Sequence, residues 1–389
     1  MKILMLQDDF PPDVCGGAEI STLGIACGLQ KAGHEVFVIT TCRDKSSEGE
    51  CVYLGVKIIK IYADYHERWR AYLSLYNPQT VGKVRELIKK INPDIVHAHN
   101  IHYYLSYACL KSAKKLQKPV FLTVRDVMPF SYGKLATKKY LEKLDYRVFW
   151  WDNFKQAQKR YNPLRNVIIR HYFKKYVNKI FAISCAVKNA LNQNGIQNVG
   201  VIYNGIDVDE WVISPERIEE FRKKYNLQNK KIILFAGRIS ALKGSAQIDA
   251  AMIKIKKEVP SAVLLTAGDG GIGWLRGEEL KAAYHASDVV TVPSVCFDSF
   301  GRVNIEAMAC KKPVVGTCFG GVPEVIQDGV TGYVVNPFKT EFMADKIIDL
   351  LKNPEKANKF GEAGYERAKK CFNLADRIAE MVRYYQKFL

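Results

Sequence analysis

Short apolar runs alternate along this chain with longer segments whose apolar residues recur at helical spacing. Strands that alternate with helices in this way pair into parallel sheets with helices on both faces. Such sheets bind ligands at the carboxyl ends of their strands. In the first half, strands are predicted at residues 3–6, 36–39, 56–61, 94–97, 120–124, 179–183 and 199–202.

A turn at residues 204–207, Asn-Gly-Ile-Asp, leads into a second series of the same kind. Its strands are predicted at residues 231–236, 262–266, 288–292, 313–316 and 332–335. The chain has 389 residues, which is enough for two α/β domains that each bury a core.

One segment, residues 134–179, breaks this alternation. It is rich in Lys and Arg, carries only the acids Glu142, Asp145 and Asp152, and has aromatic residues throughout. A solvated helical face over core aromatics explains the pattern. Attachment to an anionic membrane surface, or binding of a lipid-linked phosphate, explains it equally well. Nucleic-acid binding is a weaker third interpretation, because no DNA- or RNA-binding motif accompanies the charges.

Composition narrows the function only a little. Hydrophobic residues make up 48% and charged residues 25%, as in ordinary globular enzymes. The apolar N-terminal run stops at Gln7, which favours a first strand over a signal peptide and predicts a cytoplasmic protein. The net charge of +18 indicates anionic partners without choosing among them.

Glycine-centred turns follow several of the predicted strands. They occur at Gly16-Gly17, at residues 237–244, at Phe300-Gly301 and at Gly320-Gly321. Bare glycines let backbone N–H groups approach a ligand, and helix N-termini favour anions. Arg238 and Lys243 add positive charge beside one such turn, a combination that suits a diphosphate. The chain has neither a P-loop nor a dinucleotide fingerprint, which argues against an ATPase and a nicotinamide dehydrogenase.

These motifs carry a resemblance to a known family. The chain resembles glycosyltransferase family 4 over nearly its whole length. The segments that match are 16–19, 31–36, 96–99, 203–207, 237–244, 298–309, 312–316 and 320–325, and 298–309 (Asp-Ser-Phe-Gly-Arg-Val-Asn-Ile-Glu-Ala-Met-Ala) is the most specific.

The resemblance implies the GT-B architecture, an α/β fold of two Rossmann-like domains that face an interdomain cleft. Residues 1–203 would form the acceptor-side domain and include the basic helical segment. Residues 204–370 would bind the nucleotide-sugar, and a C-terminal helix in 371–389 would pack back on the first domain. The expected enzyme is a metal-independent, retaining hexosyltransferase with no cofactor beyond its nucleotide-sugar substrate.

The resemblance also assigns roles to four charged residues. Arg238 and Lys243 would bind the donor diphosphate and stabilise it as it leaves. Asp298 would contact hydroxyl groups of the transferred sugar, and Glu306 would accept hydrogen bonds from the ribose.

Other roles fall on backbone groups and on the acceptor side. The N–H groups around Phe300 and Gly301 would add donors to the diphosphate, and Gly16-Gly17 would close on it. Acceptor-side candidates are His97, His99, Arg125 and Asp126. We expect the two histidines to point to opposite faces of their strand, so that at least one is packed. For His99, lining the cleft and packing in the core are equally open.

Three departures from the family pattern keep rival functions open. Asp298 stands where Glu is usual, Arg125 stands where many members have His, and the stretch between 270 and 278 is short. The main expectation is sugar transfer to a hydroxyl of a glycan or a lipid-linked acceptor, with an anionic membrane surface as a further candidate partner on the cytoplasmic face. A non-catalytic protein that binds sugar-nucleotides or glycans is the alternative. A basic nucleic-acid-binding protein is a third hypothesis, although no nucleic-acid partner is expected.

Overall fold

The structure is a computed structural model. It describes residues 1–14, 16–158, 160–237, 240–268 and 271–389. The chain divides into two compact units: unit 1 comprises residues 1–140, 145–205 and 374–389, and unit 2 comprises residues 141–144 and 206–373. Each unit is an α/β domain built on its own sheet.

The sheet of unit 1 has the order β3-β4-β2-β1-β5-β6-β7-β8. Its strands are β1 (Lys2–Leu6), β2 (Glu35–Cys42), β3 (Gly49–Tyr53), β4 (Val56–Tyr62), β5 (Ile95–Ala98), β6 (Val120–Val124), β7 (Lys179–Ala182) and β8 (Val199–Val201). The helices that precede residue 206 are α1 (Gly17–Lys31), α2 (Arg70–Leu73), α3 (Pro78–Ile91), α4 (Ala108–Lys115), α5 (Lys138–Lys143), α6 (Trp150–Gln156), α7 (Arg165–Tyr176) and α8 (Cys185–Gln193).

The edge strand β3 departs from the parallel arrangement that the sequence predicts. It pairs antiparallel with β4, while the other strand pairs of this sheet are parallel. Leu54 and Gly55 connect the two strands, and both have positive φ, as tight hairpin turns require. Strand β3 is exposed along most of its length, so the hydrophobic pattern alone gave no sign of it.

The sheet of unit 2 is parallel and has the order β10-β9-β11-β12-β13. Its strands are β9 (Lys231–Ala236), β10 (Ala262–Ala267), β11 (Val289–Val292), β12 (Val314–Thr317) and β13 (Gly332–Val335). The helices are α9 (Pro215–Lys224), α10 (Ser245–Glu258), α11 (Gly277–Ala286), α12 (Arg302–Ala309), α13 (Val322–Val325), α14 (Thr340–Lys352) and α15 (Pro354–Cys371). The central strands are buried on both faces, which explains their unbroken apolar sequence.

After unit 2 the chain returns to unit 1 as its last helix, α16 (Leu374–Gln386). This helix packs beside α1, where Gly28 leaves room for Ile378: a Cβ at Gly28 would lie 2.8 Å from Ile378 Cγ1. Tyr385 is fully buried in the same core cluster as Ile3 and Phe121. The final helix therefore completes the hydrophobic core of unit 1.

The basic segment 134–179 forms α5, α6 and α7 with loops between them. Tyr140 and Phe173 are buried, which agrees with a core role for part of its aromatic content. Phe149, Trp150 and Trp151 are instead more than half exposed, at 52%, 56% and 55%. Among the helices that the structure describes, none combines the length and the apolar character needed to cross a membrane.

Candidate functional site

In unit 2, three loops meet at the carboxyl edge of the sheet because β9, β11 and β12 are neighbours. The backbone N–H of Val295, after β11, donates to the carbonyl oxygen of Leu242, after β9, at 3.0 Å. The N–H of Gly321, after β12, donates to the carbonyl oxygen of Asp298 at 2.7 Å. This is the edge where the sequence predicts a ligand.

Two predicted residues form an ion pair at this edge. Lys243 Nζ lies 2.7 Å from Asp298 Oδ2, and the Ser294 hydroxyl donates to the same oxygen at 3.0 Å. The Lys243 side chain is 38% exposed and that of Asp298 only 9%. The aspartate is therefore held by its neighbours, while the lysine still reaches solvent.

Close backbone approach fixes the position of both residues. Gly244 has φ +83°, and a Cβ there would lie 1.9 Å from the carbonyl oxygen of Pro293. Gly320 has φ +76°, and its Cβ would lie 1.9 Å from the carbonyl oxygen of Asp298. No other residue fits at either place without a backbone shift.

The helix that carries Glu306 starts in the same loop. Gly301, with φ +72°, precedes the first residue of α12, and the Phe300 ring is buried against Phe372 at 5.6 Å. The amides that open α12 therefore lie directly after the loop that holds Asp298. Such N-terminal amides suit an anion.

Both carboxylate oxygens of Glu306 already have donors. The hydroxyl of Tyr284 donates to Oε2 at 2.7 Å, and Arg302 Nε donates to Oε1 at 2.6 Å. Burial, followed by the charge of Glu306, raises the pKa of Tyr284 well above its usual value, so this phenol stays a donor. A carboxylate accepts about four hydrogen bonds, which leaves capacity for hydroxyl groups of a ligand.

The sequence did not reveal all of this arrangement. Arg302 is four residues before Glu306 on one helix, a spacing at which such pairs are expected. Tyr284 comes from α11, and nothing in the sequence connects it to Glu306. Arg238, predicted to bind the diphosphate, lies outside the described residues.

The remaining predicted residues lie in unit 1. Gly16 precedes α1 and Gly17 is its first residue. A Cβ at Gly16 would lie 2.3 Å from Glu19 Oε2, whereas a Cβ at Gly17 would meet nothing. Burial raises the pKa of Glu19. This helix N-terminus therefore has a carboxyl group of its own beside it.

His97 is a core residue. Its Nε2 lies 2.8 Å from the Thr123 hydroxyl, and its Nδ1 is hydrogen-bonded to the Tyr385 hydroxyl. Burial, followed by the nearby charge of Arg125, lowers the pKa of His97 to about 3. The expectation that His97 and His99 point to opposite faces was wrong, because their rings stack at 4.3 Å. Residues two apart along a strand share a face.

Arg125 is fixed by the linker turn. Its Nη1 donates to Asn204 Oδ1 at 2.7 Å, and its Nη2 lies 3.4 Å from His99 Nδ1. His99 is buried, and its Nε2 has no hydrogen-bond partner among the residues that the structure describes. Asp126 Oδ2 lies 3.5 Å from His102 Nε2. Unit 1 therefore brings His99, Arg125 and Asp126 to the lining of one small cavity, and keeps His97 in the core.

Asp8 is a buried residue that the sequence analysis missed. Its carboxylate accepts three backbone N–H groups, from Tyr103, Tyr104 and Leu105, at 2.7–2.9 Å. Burial raises its pKa to about 7, although these hydrogen bonds act in the opposite direction. Its place two residues after β1, at the carboxyl edge of the sheet, is the signal that could have identified it.

The described ranges contain no group of three or more His, Cys, Asp or Glu side chains that could hold a metal ion. Charge at the unit 2 site comes instead from Lys243, Asp298, Arg302 and Glu306.

Two family models match the chain. The model "Glycosyltransferase Family 4" matches residues 15–210, and "Glycosyl transferases group 1" matches residues 271–367. The chain belongs to glycosyltransferase family 4. It is a glycosyltransferase of the GT-B type, as the motif at residues 298–309 predicted.

Relatives of this family member cover almost its whole length. An uncharacterized glycosyltransferase of Methanocaldococcus jannaschii is 28% identical over 376 residues, which covers 90% of this chain and 89% of the relative. An alpha-maltose-1-phosphate synthase of Mycobacterium tuberculosis is 27% identical over 425 residues, which covers 100% of this chain and 99% of the relative. The enzyme names that relatives at this distance carry differ from one another.

Solved structures agree in fold. Sucrose-phosphate synthase from Thermosynechococcus elongatus has a TM-score of 0.79 at 21% identity and covers 99% of this chain and 98% of its own. Anabaena HepE in complex with UDP-glucose has a TM-score of 0.73 at 20% identity, and the match covers 99% of this chain and 100% of HepE. These similarities support the GT-B fold of the family.

We predict that Gly244→Ala disrupts the unit 2 site. The new Cβ would clash with the Pro293 carbonyl, and the positive φ costs about 1–2 kcal/mol by itself. The thermal unfolding midpoint should fall, and amide exchange should rise in peptides covering 240–244 and 293–301. Gly82→Ala is the matched control, since a Cβ in that exposed helical position meets nothing. Unchanged exchange in Gly244→Ala would contradict the assigned backbone contact.

We also predict that Asp8 makes stability depend on pH. The pKa of Asp8 is raised from 3.8 to about 7 in the fold. The contribution of this carboxyl group to folding stability is therefore fully present below pH 3.8 and lost as pH rises through about 7. Between pH 5 and 8, the free energy of unfolding of wild type, measured with urea, should therefore fall by roughly 2–3 kcal/mol relative to that of Asp8→Asn. Buried histidines affect both proteins alike and cancel in the difference. A difference that stays constant with pH would show that Asp8 is ionised throughout.

Proposed function

We propose that the chain transfers a hexose, with retention of anomeric configuration, from a nucleotide-sugar donor to a hydroxyl of a glycan or glycolipid acceptor. The observation that carries the proposal is the arrangement at the carboxyl edge of the unit 2 sheet. There Lys243 contacts Asp298, and Glu306 follows on the helix that the same loop begins. Donor binding is supported by a neighbour in fold, HepE, which was solved with UDP-glucose.

Each residue has a defined task in this reaction. The ammonium of Lys243, together with Arg238, binds the donor diphosphate and stabilises its negative charge as it leaves. Asp298 accepts hydrogen bonds from hydroxyl groups of the sugar. Glu306, oriented by Tyr284 and Arg302, accepts hydrogen bonds from the ribose. Positive side chains thus supply the charge that a divalent ion would supply, and the proposed transfer needs no metal.

The reaction exchanges one bond for another at the anomeric carbon. The bond from this carbon to the diphosphate oxygen breaks, and a bond to the acceptor oxygen forms on the same face. The acceptor proton passes to the departing diphosphate. This chemistry requires a preorganised electrostatic site rather than a nucleophilic side chain.

We predict that Arg238→Ala and Glu306→Ala sharply reduce transfer while leaving the protein folded. A thermal-shift screen over nucleotide-sugars first identifies the donor, since a specific ligand stabilises the fold that it binds. Transfer should then fall by about 10²–10³ in each variant, because each loses contacts to the donor. Glu362→Ala, an exposed acid on α15, is the matched control and should keep wild-type turnover.

Three outcomes would contradict this function. Wild-type turnover in either variant would remove the assigned donor site. Donor binding without transfer to any acceptor pool would favour the non-catalytic alternative. Salt-dependent binding to nucleic-acid duplexes, with no response to nucleotide-sugars, would favour a nucleic-acid-binding protein.

We further propose that α6 attaches unit 1 to an anionic membrane surface on the cytoplasmic face. The rings of Trp150 and Trp151 stack at 3.8 Å with both side chains more than half exposed. Cationic side chains adjoin them: Lys139 Nζ lies 5.0 Å from the Phe149 ring centre, and Lys155 is exposed on the same helix. Exposed indoles beside cations match the chemistry of a headgroup layer that contains anionic lipid.

We predict that replacing both Trp150 and Trp151 by Ala greatly reduces binding to vesicles of phosphatidylcholine with phosphatidylglycerol. Wild-type binding should weaken in high salt and on purely neutral vesicles, because the attraction is partly electrostatic. Trp274→Ala removes an equally exposed indole from unit 2 and is the matched control. Sedimentation with vesicles measures the effect. Equal sedimentation of the double variant and wild type would contradict the assigned surface.

A further inference from the structure

Among the described residues, one buried arginine of unit 1 has no carboxylate partner. Arg70 is only 6% exposed. Its guanidinium lies over the Tyr103 ring at 3.7 Å, and its Nη2 approaches Met128 Sδ at 3.6 Å, a weak acceptor. Within the described ranges no Asp or Glu lies within ion-pair distance of it. Buried charges in proteins are normally paired, because burial without a partner costs several kcal/mol.

A second buried arginine, Arg165, shares another aromatic ring with Arg70, that of Tyr132. The guanidinium carbons of Arg70 and Arg165 are 5.1 and 5.8 Å from the centre of the Tyr132 ring. Arg165 is 1% exposed and donates to the carbonyl oxygen of Met128 at 2.8 Å and to Asn166 Oδ1 at 3.0 Å. Burial lowers the pKa of Arg165, yet a guanidinium stays charged at neutral pH. Two like charges therefore flank one ring.

Orphan polar groups accompany the two arginines. Arg165 Nε and the hydroxyl of Tyr107 are buried and have no hydrogen-bond partner among the described residues. Tyr107 is 2% exposed, and it lines the small cavity together with His102 and Asp126. The charges of Arg165, Asp126, Asp8 and Arg70 all act on its pKa, which burial raises. Met128 joins these groups, because Arg70 and Arg165 both approach it and Asp126 accepts its backbone N–H.

Carboxylates of the described residues also act in this region: Asp126 and Asp8 are engaged by the fold, and the exposed Glu67 acts on the pKa of Tyr103 and Tyr132. Asp126 faces His102 and accepts the backbone N–H of Met128 at 2.9 Å. Asp8 is occupied by its three backbone N–H donors. Burial lowers the pKa of His102 to about 4, Asp126 acts against this, and the charges of Arg70, Arg165 and Lys134 reinforce it. At neutral pH His102 is an uncharged imidazole that can donate a hydrogen bond.

Neighbouring elements hold this region in place. Asp8 fixes the backbone of residues 103–105, and so the ring on which Arg70 lies. On α6, Asn153 Oδ1 accepts the backbone N–H of Tyr132 at 2.7 Å and its amide donates to the carbonyl oxygen of Phe130. The guanidinium of Arg70 is therefore preorganised rather than mobile, which reduces the cost of binding an anion.

We propose that Arg70, supported by Arg165, His102 and the Tyr107 hydroxyl, binds a phosphate group carried by the acceptor. This assignment rests on the proposed transferase function, of which it specifies the acceptor class. A guanidinium offers two parallel N–H donors to phosphate oxygens, and the second buried cation suits a dianion. The same chemistry accommodates a soluble sugar phosphate and the phosphate of a lipid-linked acceptor.

Calorimetric titration of the full chain with inorganic phosphate tests the subsite directly. Wild type should bind phosphate, and Arg70→Gln should bind it roughly tenfold more weakly or worse, because a hydrogen-bonded charge partner is lost. Arg68→Gln removes an exposed arginine two residues away and should bind as wild type does. Absence of binding in wild type, or equal affinity in Arg70→Gln, would overturn the proposal.

A measurement on wild type covers the case in which Arg70→Gln does not fold. Hydrogen–deuterium exchange of the backbone, followed by mass spectrometry, locates the segments that a ligand stabilises. Phosphate should slow exchange in the peptides that contain Arg70 and Tyr103 and leave the peptide that contains Arg217, an exposed arginine of unit 2, unchanged. Equal exchange around Arg70 with and without phosphate would overturn the proposal.

Two short-chain probes separate the sources of the phosphate. Glucose 6-phosphate represents a soluble acceptor, and dihexanoyl phosphatidic acid below its micellar concentration represents a lipid phosphate. If the lipid probe displaces inorganic phosphate at a lower concentration than the sugar phosphate does, the site belongs to a lipid-linked acceptor. The opposite order assigns it to a soluble acceptor. If neither competes, the subsite does not bind phosphate esters and the proposal fails.

Failure of this inference can be distinguished from failure of the transferase function. Arg70→Gln should retain the thermal shift given by the donor nucleotide-sugar, because the proposed donor residues lie in unit 2. Loss of phosphate binding together with a retained donor response supports the subsite. If wild type binds phosphate through Arg70 but shows no thermal shift with any nucleotide-sugar, the transferase function is contradicted and the phosphate subsite is still supported.

Discussion

The candidate site of unit 2 depends on how closely its loop backbones can approach each other. Gly244 lies against the Pro293 carbonyl and Gly320 against that of Asp298, at distances that exclude a side chain. These contacts bring the loops after β9, β11 and β12 to one edge of the sheet. The ion pair between Lys243 and Asp298 follows from that approach, since each residue is next to a position fixed by a glycine or a backbone hydrogen bond.

Unit 1 is organised by a different requirement, the pairing of buried polar groups. Asp8 has three backbone donors and His97 has two hydroxyl partners, so both are satisfied inside the fold. Arg70 is also buried, but its partners among the described residues are two aromatic rings and a thioether sulfur. The contrast is informative because buried polar groups in folded proteins normally have hydrogen-bond partners within the protein. Groups that the protein satisfies by itself support structure, and groups that it leaves unsatisfied are where ligand chemistry is expected.

Much of the fold was predictable from the sequence. The strands at 231–236 and 332–335 match the prediction to the residue, because buried parallel strands give unbroken apolar runs bounded by turns. The family and the GT-B fold followed from the motif at 298–309. Strand β3 was missed, since an exposed edge strand has no apolar pattern.

The details of the site were less accessible to sequence reasoning. Lys243 and Asp298 were predicted one by one from the family pattern, and their direct contact depends on loop geometry. The links from Tyr284 to Glu306 and from Asp8 to residues 103–105 join positions far apart in the chain, which no local pattern encodes. His97 and His99 were expected on opposite faces because the strand period was misapplied. Arg70 was missed because its significance lies in the absence of a carboxylate partner among the described residues, which only coordinates display.

The position of α16 has a consequence for how the protein is made. This helix belongs to unit 1 but is encoded after the whole of unit 2, and it supplies Tyr385 to the first core and to His97. During translation, most of unit 1 leaves the ribosome early, but its core closes only after residues 374–389 have been made. Its nascent form exposes an apolar surface beside α1 for the entire synthesis of unit 2. Completion of the N-terminal domain therefore follows the synthesis of unit 2, and a chain that ends before residue 374 lacks a finished first domain.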